Sequence, residues 1–402
     1  MLTRPEDVPA IPITVRSTTH AELPVTPLPA GRFDELFQLQ RRLAEVENPV
    51  YASFGEDEFI GCDGFRALVD SGDTLIATDA RKDDVIDSFT CVAPSVFAKN
   101  YNAAIADLFI GVDSAQAKAG MFRKWIDIAS AHARKLGYVT VLVQTFVTKV
   151  AIFGDLSEAG FEFCAELPLT GRIRGVGLAD SVLWRKYVAD RSTCDFSLRR
   201  GPREYCWFFG PPRPRQDIGL PRRYTLKDGT LVEWSDLQAE DVDAYCRLFV
   251  EATERGICPT GLGPDIVQCG QYVESGTVVF GSFKTIDTCE VIGAAVLRPA
   301  PYCRSTRPVV SSGAIAVRRD FVSKGLGSVM MRVREEWSIS CGYDAMAGET
   351  YAKHTSALHL VIKEGMRMIG YVPDAIKLPT SGWDDVMLMY KASGRYVKPS
   401  KF

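Results

Sequence analysis

The chain has 402 residues, with 46% hydrophobic and 24% charged positions, the composition of an ordinary globular protein. That length suits two or three domains, each large enough to bury its own core. Lys and Arg total 47 against 50 Asp and Glu, and the resulting charge of −3 excludes an electrostatic case for nucleic acid or an anionic membrane as the main partner.

The first twenty residues hold three prolines, two acids and no apolar core, so no signal peptide is expected there. No apolar run approaches the roughly 20 residues that cross a bilayer. Eleven scattered cysteines contain no CxxC pair. That pattern predicts reduced, buried thiols in a cytoplasmic protein and no metal site.

In the first half, Thr74–Thr78, Val85–Cys91 and Ala103–Val112 read as strands. A helix follows with Phe122, Trp125, Ile126, Ala129, Ala133 and Leu136 on one face. Then come a strand over Val139–Thr145, a helix over Val150–Ala159, and strands near Phe161–Glu166 and Ser181–Tyr187. The stretch 191–223 carries eight arginines, five prolines and three glycines, which disfavours regular structure. Tyr205, Trp207, Phe208 and Phe209 within it are too apolar for a free tether, so it reads as a connector docked on one or both domains.

The second half repeats the order. Arg223–Trp234 is a strand with a turn at Asp228-Gly229, and a helix runs from Ala239 to about Glu254. Strands follow over Ser275–Lys284, Glu290–Arg298 and Val309–Val317. A helix then places Leu326, Met330, Val333 and Trp337 on one face. Asp344–Thr350, a helix over His354–Glu364, Met368–Val372 and Asp385–Lys391 complete it. Three landmarks recur 205 residues apart: Gly137-Tyr138 with Gly342-Tyr343, Gly160-Phe161 with Gly365-Met366, and Asp180-x-x-Leu183-x-x-Lys186 with Asp385-x-x-Leu388-x-x-Lys391. The reading is two copies of one mixed α/β (α+β) domain with a mostly antiparallel sheet, at 1–190 and 223–402, joined by a connector at 191–222.

Lys324-Gly325-Leu326-Gly327-Ser328 lies between a strand and a helix start, where glycines let backbone amides approach an anion such as a pyrophosphate. The order strand, glycine loop, helix, strand, helix, strand resembles that of the GNAT superfamily of acyl-CoA-dependent N-acyltransferases, over most of both copies. The family's loop, Q/R-x-x-G-x-G/A, aligns with Val322-Ser323-Lys324-Gly325-Leu326-Gly327; both glycines match and Val322 departs. The resemblance implies coenzyme A at Val322, Ser323, Lys324, Gly325, Leu326, Gly327 and Ser328, with the pantetheine arm along Ile315, Ala316 and Val317. In the first copy Gln116-Ala117-Lys118-Ala119-Gly120-Met121 stands at the aligned place, with Ala119 and Met121 for the two glycines. That copy is read as degenerate.

Acyl transfer to an amine needs a base for the amine and, where the thiolate is to be protonated, an acid. Glu349, Tyr351 and His354 of the second copy stand where the first has Gln144, Phe146 and Lys149. Glu349 is the expected base, with Tyr351 or His354 as candidate acid. Family members often place a tyrosine four residues before the final helix glycine and an asparagine seven before that; here these positions hold Val361 and His354. Asp107, a carboxylate inside an apolar strand, is expected either to bind the acceptor amine or to pair with an arginine. Arg304, Arg307, Arg318 and Arg319 are candidates for the 3′-phosphate or an acidic acceptor, and loops at Arg255–Ile266 and Thr350–Thr355 for acceptor choice. The expected activity is transfer from acetyl-CoA or another acyl-CoA to a small-molecule amine in a ternary complex, by a monomer or homodimer. The alternatives are a non-catalytic CoA- or metabolite-binding module, and an enzyme using another acyl thioester, such as acyl carrier protein or malonyl-CoA.

Overall fold

A computed structural model of the chain describes residues 13–16, 22–45, 62–79, 84–97, 104–112, 120–147, 151–173, 177–190, 192, 215–254, 279–300, 302–303, 309–378 and 382–393. The aromatic part of the connector, the loops at Arg255–Ile266 and 113–119, and Lys149, Arg304 and Arg307 lie outside them.

The first half comprises β1 (Ile13–Arg16), β2 (Glu22–Pro27), α1 (Phe33–Glu45), α2 (Cys62–Ser71), β3 (Asp73–Asp79), β4 (Val85–Pro94), β5 (Ile105–Gly111), α3 (Met121–Lys135), β6 (Thr140–Phe146), α4 (Ala151–Glu158), β7 (Glu162–Ile173) and β8 (Gly177–Tyr187). The second comprises β9 (Arg222–Thr225), β10 (Leu231–Asp236), α5 (Val242–Glu254), β11 (Val279–Thr285), β12 (Val291–Pro299), β13 (Val310–Ser312), β14 (Ile315–Val317), α6 (Leu326–Ser340), β15 (Ala345–Tyr351), α7 (Thr355–Lys363), β16 (Arg367–Leu378) and β17 (Gly382–Ala392). From α3 onward the bounds of α3, β6, β7 and β8 return 205 residues later in α6, β15, β16 and β17.

Among the described residues seventeen strands join one sheet. Neighbouring strands run β1-β2-β3-β4-β5-β6-β8-β7 in the first half and β16-β17-β15-β13-β12-β11-β10-β9 in the second, with β14 beside β12. All pairs are antiparallel except β5–β6 and β13–β15. The halves meet where β7 pairs β16 at Ala165 and Gly370, positions themselves 205 residues apart. Phe97 and Tyr302, again 205 apart, stack with ring centroids 6.3 Å apart.

The helix faces expected from spacing are the buried ones: Phe122, Trp125, Ile126, Ala129 and Ala133 on α3, and Leu326, Met330, Val333 and Trp337 on α6. Each packs on its own half's sheet. On the opposite face a single apolar cluster runs through both halves, joining Phe33, Leu36, Phe65 and Phe89 to Tyr302, Tyr351, Val372 and Tyr390. The elements before β3 escaped the sequence reading. The strand expected over Val309–Val317 is broken into β13 and β14 at Gly313-Ala314, where a Cβ on Gly313 would lie 1.8 Å from the Val296 carbonyl oxygen. The described end of the connector docks on the second half: Gln216 N donates to Ser340 O (3.1 Å), Arg215 pairs with Asp236 (2.5 Å) and Ile218 and Leu220 pack on the α6 core.

Candidate functional site

The break at Gly313 opens a wedge. β13 lies parallel to β15 through Val310–Ala345 and Ser311–Met346, and there that ladder ends. β14 continues with β12, while Ala347 to Tyr351 continue with β17. The two strands diverge, and a cavity of about 530 Å3 fills the space between them and reaches the glycine loop.

One end of the cavity is the start of α6. Ser323 and Gly325 have φ of +69° and +94°, and Gly325 is the N-cap. No side chain caps the helix, and its first helical bond runs from Val329 N to Gly325 O, so earlier amides are left to the cavity, where Gly325, Gly327 and Ser328 form its wall. A helix end of this kind carries roughly half a positive charge and suits a phosphate. Lys227 packs along Gly325, its Cγ 3.3 Å from where a Cβ would stand, and Lys363 and His359 of α7 also line the cavity. The loop is pinned from behind: Lys227 N donates to Lys324 O (3.0 Å), and Lys324 pairs with Asp228 (2.8 Å). That ion pair, with hydrogen bonds from Thr230, lowers the Asp228 carboxyl to about 2.

The residues expected from sequence divide accordingly. Ile315, Ala316, Val317, Val322, Ser323, Gly325, Gly327, Ser328, Glu349, Tyr351 and His354 all line the cavity, as does Val361. Lys324 is held behind the loop, and Leu326 is wholly buried in the α6 core. Arg318 is engaged by Asp320 (2.8 Å) and Glu290 (3.1 Å). Asp107 is 4% exposed in β5, its Oδ2 accepting a hydrogen bond from Val96 N (3.3 Å), away from the cavity.

Alternation along β15 sets Glu349 and Tyr351 on the face that carries the shared core, while Met346 points to the α6 side. His354 is the N-cap of α7, its backbone N donating to Tyr351 O (3.0 Å). Nearby Tyr302 is held a neutral phenol, chiefly by burial and further by Cys303, Tyr390 and Glu349. Gln144, the counterpart of Glu349, instead donates to Ser181 Oγ (2.8 Å) and to Tyr302 O (2.9 Å) across the junction of the halves.

The matched helices place Gly120 opposite Gly325, each a left-handed N-cap, so the residue opposite Gly327 is Phe122 rather than Met121. Phe122 is wholly buried under the first sheet. His359 of α7 also lines the cavity.

Sequence reasoning missed Lys227, Tyr245, Phe249, Arg298, Met331 and Arg334, which also line the cavity. Arg334 is 4% exposed. Burial alone lowers its guanidinium to about 10. Its Nε contacts Met346 Sδ (3.4 Å) and its Nη1 donates to Gly313 O (3.2 Å).

No family model matches the sequence, and no curated protein matches it. Among solved structures the chain is similar to a GCN5-related N-acetyltransferase from Kribbella flavida, with 22% identity and a TM-score of 0.34 over 40% of this chain and 97% of that one. It is similar to an N-acetyltransferase from Staphylococcus aureus Mu50, with 16% identity and a TM-score of 0.35 over 40% and 98%. A spermidine N-acetyltransferase from Vibrio cholerae, solved with CoA and spermine, gives 11% identity and a TM-score of 0.35 over 42% and 98%.

Proposed function

We propose that this protein is an acyl-CoA-dependent N-acyltransferase made of two tandem GNAT-like domains, the second of which binds the acyl-CoA and a small-molecule amine. The observation that carries this reading is the single cavity that joins an uncapped, basic helix start to a wedge between diverging strands and reaches Glu349.

In this reading the pyrophosphate lies on the amides of Gly325, Gly327 and Ser328, with Lys227 beside it. The pantetheine arm runs along Ile315 to Val317, the strand whose ladder with β15 has ended. The thioester then lies near Gly313, within reach of the amine on the Glu349 face. Glu349 takes a proton from the ammonium, directly or through water. The neutral amine nitrogen bonds the acyl carbon, the carbon–sulfur bond breaks, and the thiolate leaves with a proton from Tyr351 or His354, which recovers one, directly or through water, as the new amide nitrogen gives up its second proton. The first domain, with Phe122 where the phosphate loop needs glycine and Gln144 spent on the junction, supports the second without binding CoA itself.

The test is thiol release from acetyl-CoA and other acyl-CoA donors across an amine panel. Turnover is expected in the natural protein and its loss in Gly325→Trp, with melting temperatures recorded for both. Undiminished turnover in a folded Gly325→Trp protein would remove the loop from the site.

A further inference from the structure

Arg334 is a buried cation in the cavity wall. A guanidinium taken out of water needs an anion or a full set of acceptors. Among the described residues it has one carbonyl, Gly313 O, and one thioether, Met346 Sδ, which leaves most of its five N–H groups unused. Its acidic neighbours on α6 are taken: Glu335 by Lys391 (2.6 Å) and Glu336 by Arg222. Glu349, the acid in the cavity wall, stands on the opposite face of β15 from Met346, which Arg334 touches. The first half has Ala129 at the matching place, so the helix packs without an arginine there.

Its position indicates which anion. Arg334 is nine residues along α6 from Gly325, or about 13 Å at helical rise. The CoA phosphates at the loop are therefore too far to be its partner. The contact with Gly313 O puts the guanidinium where β13 and β15 part, at the far end of the wedge from the phosphates. A chain fixed at the loop and laid along β14 brings its acyl group there. The amine approaches on the other face, beside Glu349.

We propose that the acyl donor is the monothioester of a dicarboxylic acid, and that Arg334 binds the free carboxylate of its acyl group. The inference rests on acyl-CoA binding as read above. The planar fork of the guanidinium suits a carboxylate held by two hydrogen bonds. In the reaction the amine nitrogen replaces sulfur on the thioester carbon, the thiol departs, and the distal carboxylate is carried unchanged into the amide product.

Calorimetry of the full chain with CoA, acetyl-CoA and succinyl-CoA tests this. The natural protein is expected to bind succinyl-CoA roughly tenfold or more tightly than acetyl-CoA. In Arg334→Met the two thioesters should bind alike, while CoA itself binds within about threefold of the natural protein. Arg334→Gln serves the same comparison where the methionine variant does not fold. Normal CoA binding with no preference for succinyl-CoA overturns the inference and leaves the acyltransferase reading standing. So does a preference that survives both substitutions. A loss confined to carboxylate-bearing amines in the turnover assay overturns the assignment to the donor. Failure to bind CoA or either thioester sinks both readings.

Discussion

Glu349 and Gln144 occupy matching places on β15 and β6, yet one lines a cavity and the other bonds a carbonyl across the molecule. An amide there is a fixed connector; a carboxylate can accept a proton. Glu349→Gln keeps shape and removes that capacity. It is expected to lower kcat about 100-fold with CoA affinity unchanged, as measured by steady-state kinetics beside calorimetry. A loss smaller than about tenfold would assign proton removal to another group.

At the scale of elements, the glycine loop owes its shape to the hairpin between β9 and β10, whose Asp228 holds Lys324 and whose Lys227 meets Gly325. The Asp228 carboxyl is lowered from 3.8 to about 2 in the folded chain, mainly by Lys324. A carboxyl depressed on folding stabilises the protein above its unfolded value, and that contribution fades as pH falls through the folded one. The difference in melting temperature between the natural chain and Asp228→Asn should be constant above about pH 5 and shrink toward pH 2. A difference that instead varied between about pH 6 and 8 would place the ion pair elsewhere. Asp228 is exposed, so the effect is expected to be small.

For the whole molecule the decisive contact is that of Gly370 with Ala165. Gly370 has φ +155°, and a Cβ there would lie 2.3 Å from the Ala165 Cβ and 2.4 Å from the Cys164 carbonyl oxygen. The core beneath runs unbroken from Phe33 and Leu36 to Tyr390, so the two halves share one apolar layer. Urea denaturation is expected to show one transition, and Gly370→Ala to cost about 2 kcal/mol or more by forcing the strands apart. Two separate transitions, or an unchanged midpoint in the variant, would show that the halves fold independently of this contact.

The sequence by itself determined the local order. Apolar spacing marked the faces of α3 and α6, because it depends only on near neighbours along the chain, and local landmarks recurring 205 residues apart paired the halves. The turn at Gly325 and the acid that the second half alone carries at Glu349 were legible for the same reason, since a positive φ and a charge both show in the residue types. Only the tertiary structure decided what those residues meet. Arg334, followed by Glu335 and Glu336, reads as part of a charged, solvated stretch, yet the helix turns it inward while its neighbours pair outward. Asp107 reads as a carboxylate for an acceptor amine or an arginine, and its Oδ2 accepts a hydrogen bond from Val96 N away from the cavity. Gly370 reads as an ordinary strand glycine and is where the halves touch. Periodicity records which face is apolar; the partner of a buried charge is set by chain segments far apart in sequence, and only folding brings them together.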